Sequence, residues 1–202
     1  MLCAESLDVT YERILREINR TTREHAYRLH YLLVAVRLLR VEECAEVLAV
    51  VVNARCVPKI NASWRWEDNE EAVLSACSSF VTEVAHGHLR VVQFSHFSVK
   101  EFLTSNRLAS SCGEKCRSYI RYESAQSIPA QASLGVLLLL DEKADLDSIG
   151  DYSLAGYPAE HWIDHVKVEN TLSTVKNGID YLFDADKPHL SAFLWINNVG
   201  GT

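Results

Sequence analysis

The feature that most constrains this chain is a change of hydrophobic period near its middle. Up to about residue 75, apolar residues recur at intervals of three and four. Over Phe80–Val84 and Leu89–Phe94 the interval drops to two or the run becomes continuous, with Ala85-His86-Gly87-His88 between. From Ser98 the helical interval returns. Intervals of 3.6 and 2 belong to helices and strands respectively. The chain therefore reads as helices, then a hairpin joined by a tight turn, then helices again.

In the first part, Asp8 is placed to cap a short helix carrying Tyr11, Ile14, Leu15 and Ile18. Thr21 with Glu24 has the spacing of a capping box and opens a helix through Leu29, Leu32, Leu33 and Val36. That segment is apolar on more than one face and is expected in the core. Val41–Val50 reads as another helix, with Glu42, Glu43 and Glu46 on its solvated face. Asn53–Trp66 is expected to be irregular, because Pro58 and Asn61 break it. Asp68 with Glu71 opens a short helix to about Ser75. Ser98 with Glu101 opens the helix of Val99, Phe102 and Leu103. The order of three helices, a hairpin and a helix is that of a winged-helix domain.

The stretch from Leu108 to Glu123 is rich in serine, cysteine and charge, and the domain boundary is placed there. The expected organisation is residues 1–108 as a helical lead-in with a winged-helix domain, and residues 109–202 as a helical array. The fold class is mainly α with a small β-hairpin. In the second half, Pro129 suits the first turn of a helix over Ala130–Leu140. Residues 141–151 hold five acidic residues against one lysine and read as a solvated loop. Helical patterns follow over Ser153–Val166 and Thr171–Phe183, and Pro188 opens a last one.

Charge and composition narrow the function. The net charge is −7, which works against a phosphate backbone. Between Arg65 and Arg90 there is no lysine or arginine, so the third helix and wing lack the basic face of a DNA reader. No nucleic-acid partner is expected. The longest apolar runs are far short of the ~20 residues that cross a bilayer, so no membrane partner is expected. The N-terminus lacks a basic segment leading into a long apolar one. The six cysteines are accordingly read as reduced thiols in a cytoplasmic protein, with Cys44 and Cys77 as small core hydrophobes.

No catalytic constellation emerges. The chain contains no G-x-x-x-x-G-K-[ST], no G-x-G-x-x-G and no G-x-S-x-G. Cys112 and Cys116 are a close pair without a second pair to complete a zinc site. His161 and His165 are one helical turn apart, but Trp162 stands where the zincin order has its glutamate, so no metal site is expected. His86 and His88 fall in the hairpin turn. His96 is different. It lies between a buried-type strand and a helix start, where its ring is rigidly placed. An imidazole there either ties the strand end to the helix or donates a hydrogen bond to a phosphate.

The string Ser95-His96-Phe97-Ser98-Val99-Lys100-Glu101-Phe102-Leu103 resembles the "HFSVKEYL" signature of fungal NACHT–ankyrin proteins, which are NOD-like STAND nucleotide-triphosphatases. Leu7–Leu15 is similar to their "LDETYERIL", Arg37–Leu48 to their "RPLTLEELAEAL", and Cys77–Val81 to their "CSSLV". Gln131–Leu138, Glu160–Val166 and Tyr181–His189 are similar to the helical region that precedes their ankyrin repeats. The resemblance runs in order along nearly the whole chain. It implies a winged-helix and helical arm that packs on a NACHT domain, in cis or in a full-length paralogue, with ankyrin repeats C-terminal to it. It also implies that His96, followed by Phe102 and Leu103, senses the β-phosphate of bound ADP. ADP or ATP would then matter only with an attached NACHT domain, and the isolated chain would need no cofactor and catalyse nothing. The sequence departs from the family in lacking the P-loop and recognisable ankyrin repeats. Pro158 also interrupts the helix written "YAAEHW" in the family, so that helix must start late or kink. A stand-alone interaction scaffold, or a decoy that docks on a relative, remains the alternative.

Overall fold

A computed structural model describes residues 7–21, 31–47, 49–51, 59–60, 71, 73, 78–105, 122–140, 153–167 and 171–199. The fold is mainly helical with a small antiparallel sheet. The elements run α1 (Leu7–Thr21), β1 (Leu39–Arg40), α2 (Val41–Val47), β2 (Val50–Val51), β3 (Lys59–Ile60), β4 (Val81–His86), β5 (Leu89–Phe94) and α3 (Phe97–Thr104). After them come α4 (Tyr122–Leu137), α5 (Gly156–Val166), α6 (Thr171–Leu182) and α7 (His189–Val199). No helix among the described residues is long and apolar enough to cross a membrane.

The hairpin forms where its pattern predicts, but β4 runs on through Ala85 and His86, which the pattern assigns to the turn, because both pair with β5. Val84 pairs with Val91 and His86 with Leu89, leaving a two-residue turn. Its first residue, Gly87, has φ +63°, a left-handed conformation that glycine adopts without a Cβ clash. The strands are buried at their base and exposed towards the turn. A third strand had no signal of its own. Leu39–Arg40 pairs with Val91–Val92, giving the order β1–β5–β4. Two residues are too few to show a period. A second small sheet, β2 with β3, lies partly in the stretch expected to be irregular.

The helical expectations need several corrections. The helix of Val41–Val50 stops at Val47, and Val50 enters β2. Residues 31–34 are helical, but Val36 lies beyond that turn and is exposed. Asp8 lies within the first turn of α1. Pro129 is inside α4, which begins at Tyr122. Packing overrides the proline here, because every residue from Ile128 to Leu137 is buried. Pro158 is the third residue of α5, where an amide would have no intrahelical acceptor. That helix does start late. The last helix opens at His189, with the Ala192 amide donating to the Pro188 carbonyl.

α4 is the central element. It packs against α5, α6, α7 and the β2–β3 pair. Gly178 lets α6 close onto it, since a Cβ there would stand 3.2 Å from Leu134 Cδ1. One buried cluster joins both parts of the chain. It includes Tyr11, Leu39, Phe80 and Phe102 from the first, and Leu134, Leu154, Tyr157 and Trp162 from the second. The proposed boundary at 108–123 falls largely outside the described residues. So do the Cys112–Cys116 pair, Cys77, the acidic stretch 141–151 and the start of the helix assigned to Thr21 and Glu24.

Candidate functional site

His96 sits where β5 hands over to α3, and the handover is pinned on both sides. The Ser95 amide donates to the Phe80 carbonyl at 2.9 Å, and the Ser95 hydroxyl donates to the Ser79 carbonyl at 2.7 Å. His96 is itself the N-cap of α3, with an extended backbone. Its Nδ1 accepts from the Ser98 amide at 3.3 Å and lies 2.6 Å from the Ser98 hydroxyl. Ser98 was expected to be the cap. The capping role falls two residues earlier because the His96 imidazole nitrogen reaches the Ser98 amide, as a serine oxygen at position 96 would.

This geometry has a chemical consequence. A ring nitrogen that accepts from an amide carries no proton of its own. In the neutral ring the proton then sits on Nε2, which becomes a donor. The Ser98 hydroxyl is in turn 2.7 Å from the Tyr11 hydroxyl, so the chain of contacts reaches into α1. Tyr11 packs on Phe80 and Phe102 with ring centres 5.8 and 5.4 Å apart. The imidazole is therefore exposed but held from below. Phe97, beside it, has its ring centre 4.3 Å from that of His96 and is 71% exposed.

A second polar cluster joins the strand-bearing part to the helical part. Glu43 is wholly buried, although helical spacing assigned it to the solvated face. Arg37 grips it with both terminal nitrogens, at 2.8 and 2.7 Å. The Arg40 amide donates to it at 2.8 Å, and Arg40 Nη2 lies 3.2 Å away. Burial pushes the Glu43 carboxyl up, but these donors and the two guanidinium charges outweigh it and hold its pKa below the usual value. The Arg37 guanidinium also lies over the Tyr157 ring, 5.0 Å from its centre. Glu46 was assigned to the solvated face too. It is buried and accepts from the Leu154 amide at 2.6 Å.

Tyr157 links this cluster to α5. Its hydroxyl accepts from the Val36 amide at 3.0 Å and lies 2.9 Å from His165 Nε2. With the amide donating inward, the phenolic proton goes to His165. Burial pushes the Tyr157 phenol up to about 12. It also lowers His165 to about 4, with Asp164 opposing and His161 adding to that shift. Replacing Tyr157 by Phe strands the Val36 amide and the His165 nitrogen. Urea unfolding is expected to show a loss of about 2 kcal/mol.

The paired histidines of α5 do not share a site. Both rings pack against Tyr157, but it is His165 that is buried and meets its hydroxyl, whereas His161 lies 3.4 Å from Glu160 and 3.6 Å from Asp164. Among the described residues no group of three or more histidine, cysteine or acidic side chains is placed to hold a metal. His86 and His88 are exposed at the hairpin end. Sequence spacing gave no sign of the Arg37–Glu43–Arg40 cluster, because an acidic residue in a helix first turn reads as a dipole partner. The one available signal was the flanking pair of arginines, three and six residues before Glu43.

No family model matches the chain, and no solved structure matches it. The chain is similar to a protein of Monascus ruber called azaphilone pigments biosynthesis cluster protein L, with 29% identity over 170 residues. The matched region covers 80% of this chain and 35% of that protein. The chain thus spans about a third of the length of this curated relative.

Proposed function

We propose that this chain is a non-catalytic, autoinhibitory module of a NACHT-type signalling NTPase. It packs on the nucleotide domain and senses bound ADP through His96. The observation that carries the reading is the fixed state of that imidazole. Its Nδ1 is occupied by Ser98, so its Nε2 proton is available for a phosphate oxygen. The strand order β1–β5–β4 supports a winged-helix assignment, since the strand before the second helix pairs with the far arm of the hairpin. The sequence resemblance supplies the identity of the partner. A single imidazole cannot hold a nucleotide against the entropy of binding, so the isolated chain should neither bind ADP measurably nor hydrolyse ATP.

The second reading is a stand-alone interaction scaffold or decoy with no nucleotide role. The exposed apolar side chains favour it, above all Phe97 at 71% and Leu7 at 59%. One experiment separates the two. The chain is titrated into the NACHT domain of a fungal NACHT–ankyrin protein, loaded with ADP or with a non-hydrolysable ATP analogue. An autoinhibitory module binds the ADP form at least ~10-fold more tightly. Equal affinity for both forms overturns the sensing role and favours the scaffold. Absence of binding to either overturns both.

A further inference from the structure

The hairpin and α5 enclose an open cleft of about 420 Å³, within the range of small-molecule sites at ~300–1,000 Å³. It is lined by Arg37, Leu38, Arg40, His86, Leu89, Val91 and Glu160. Strand register explains its floor. Arg40 pairs with Val91, and His86 pairs with Leu89. Paired residues share a face of a sheet, and so do alternate residues along one strand. Arg40, Val91, Leu89 and His86 therefore present one side of the sheet to the cleft. Leu38 and Leu89 are each 48% exposed there.

The charged groups of the cleft are not equivalent. Arg37 is committed to Glu43, to the Leu38 carbonyl and to the Tyr157 ring. Arg40 gives Glu43 its amide and only one guanidinium nitrogen, Nη2. Its Nε and Nη1 have no partner among the described residues, and its side chain is 39% exposed. Glu160 is 42% exposed on α5, lies 3.4 Å from His161 and is near enough to Arg37 to favour that guanidinium's charge. The cleft thus offers guanidinium donors, a carboxylate and an apolar floor.

We infer that this cleft binds a zwitterion with an apolar body. The carboxylate of the ligand meets Arg40, its ammonium meets Glu160, and its side chain covers Leu38, Leu89 and Val91. Arg40 can donate to a carboxylate through Nε or Nη1, the nitrogens not directed at Glu43. A simple anion would be opposed by Glu160 and a simple cation by Arg40, so only a ligand carrying both charges satisfies the pair. Free apolar amino acids and short apolar peptides share that chemistry. The site is separate from His96 and does not depend on the nucleotide reading.

Calorimetry on the whole chain tests this with L-leucine, L-leucyl-L-leucine, N-acetyl-L-leucine and N-acetyl-L-leucinamide. The expected result is a Kd of about 1 mM or tighter for leucine or the dipeptide. The doubly capped compound should bind at least ~10-fold more weakly. A preference for leucine identifies a free amino acid as the ligand, and a preference for the dipeptide identifies a peptide. Glu160→Gln, a change at an exposed position, should weaken the preferred zwitterion about 10-fold and strengthen N-acetyl-L-leucine, whose lone carboxylate Glu160 opposes. The proposal is overturned if neither zwitterion binds up to about 10 mM. Equal binding of the doubly capped compound, or an unaltered Glu160→Gln variant, overturns it too.

Discussion

Glu43→Ala should destabilise the protein by about 3–5 kcal/mol, the loss typical when one member of a buried ion pair is removed. The carboxylate is wholly buried and receives Arg37 through two nitrogens, the Arg40 amide and Arg40 Nη2. Its removal strands Arg37 beside Tyr157 and leaves the Arg40 amide unpaired at the entry to α2. Arg37→Ala should cost less than Glu43→Ala. Arg37 is 35% exposed, so water can screen it, and Glu43 would keep Arg40. Urea unfolding of the two variants checks the order, and a larger loss from Arg37→Ala would contradict it. The sign of the pH effect is fixed as well. Because the folded pKa of Glu43 is depressed, its contribution is present above its unfolded value of 4.5 and is lost as pH falls through the folded value.

His165 should impose the second large effect, at higher pH. Its folded pKa is about 4 against 6.5 for the free side chain. Between those values the unfolded chain binds a proton that the folded chain does not. Stability should therefore fall as pH drops from 6.5 to 4, by about 3 kcal/mol at 1.36 kcal/mol per unit. Protonation would put a hydrogen on Nε2, where the Tyr157 hydroxyl now donates. His165→Gln retains an acceptor for that hydroxyl and has no proton to gain. The variant should show a flatter stability profile over this window in urea titrations at pH 7 and pH 4.5. A profile parallel to that of the parent would show that His165 is not the proton acceptor.

What could be read from the sequence follows the strength of local patterning. The hairpin is legible because Phe80–Val84 and Leu89–Phe94 alternate or run apolar on either side of a glycine that the turn requires, although β4 itself runs on to His86. Helices α6 and α7 were legible from spacing and from Pro188. Strand β1 was not, because its register is set by β5 and not by its own two residues. Pro129 marks a helix start by local propensity alone, whereas the burial of α4 from Ile128 to Leu137 lets the helix run through it. Glu43 and Glu46 misled for a related reason. Helical spacing says which residues share a face, but not that the acidic face meets Arg37 or the Leu154 amide.

The candidate site divides in the same way. His96 stood out by position, between a strand and a helix, but its capping of α3 could not be read from spacing. Ser98 fitted the capping pattern better by residue type. The partnership of Tyr157 with Val36 spans 121 residues, and nothing in the local sequence of either end announces it.

The most direct test of the account is the rate at which ADP leaves the NACHT domain of a fungal NACHT–ankyrin protein, followed by stopped-flow fluorescence of a labelled ADP. It is measured without this chain, with it, and with its His96→Asn variant. Asparagine is a good N-cap, so α3 keeps its start while the ring donor is lost. The parent chain should slow ADP release at least ~10-fold, the scale of one coupling interaction between sites, and His96→Asn should restore the unassisted rate. Unchanged release with the parent chain, or equal slowing by the variant, would contradict nucleotide sensing through His96.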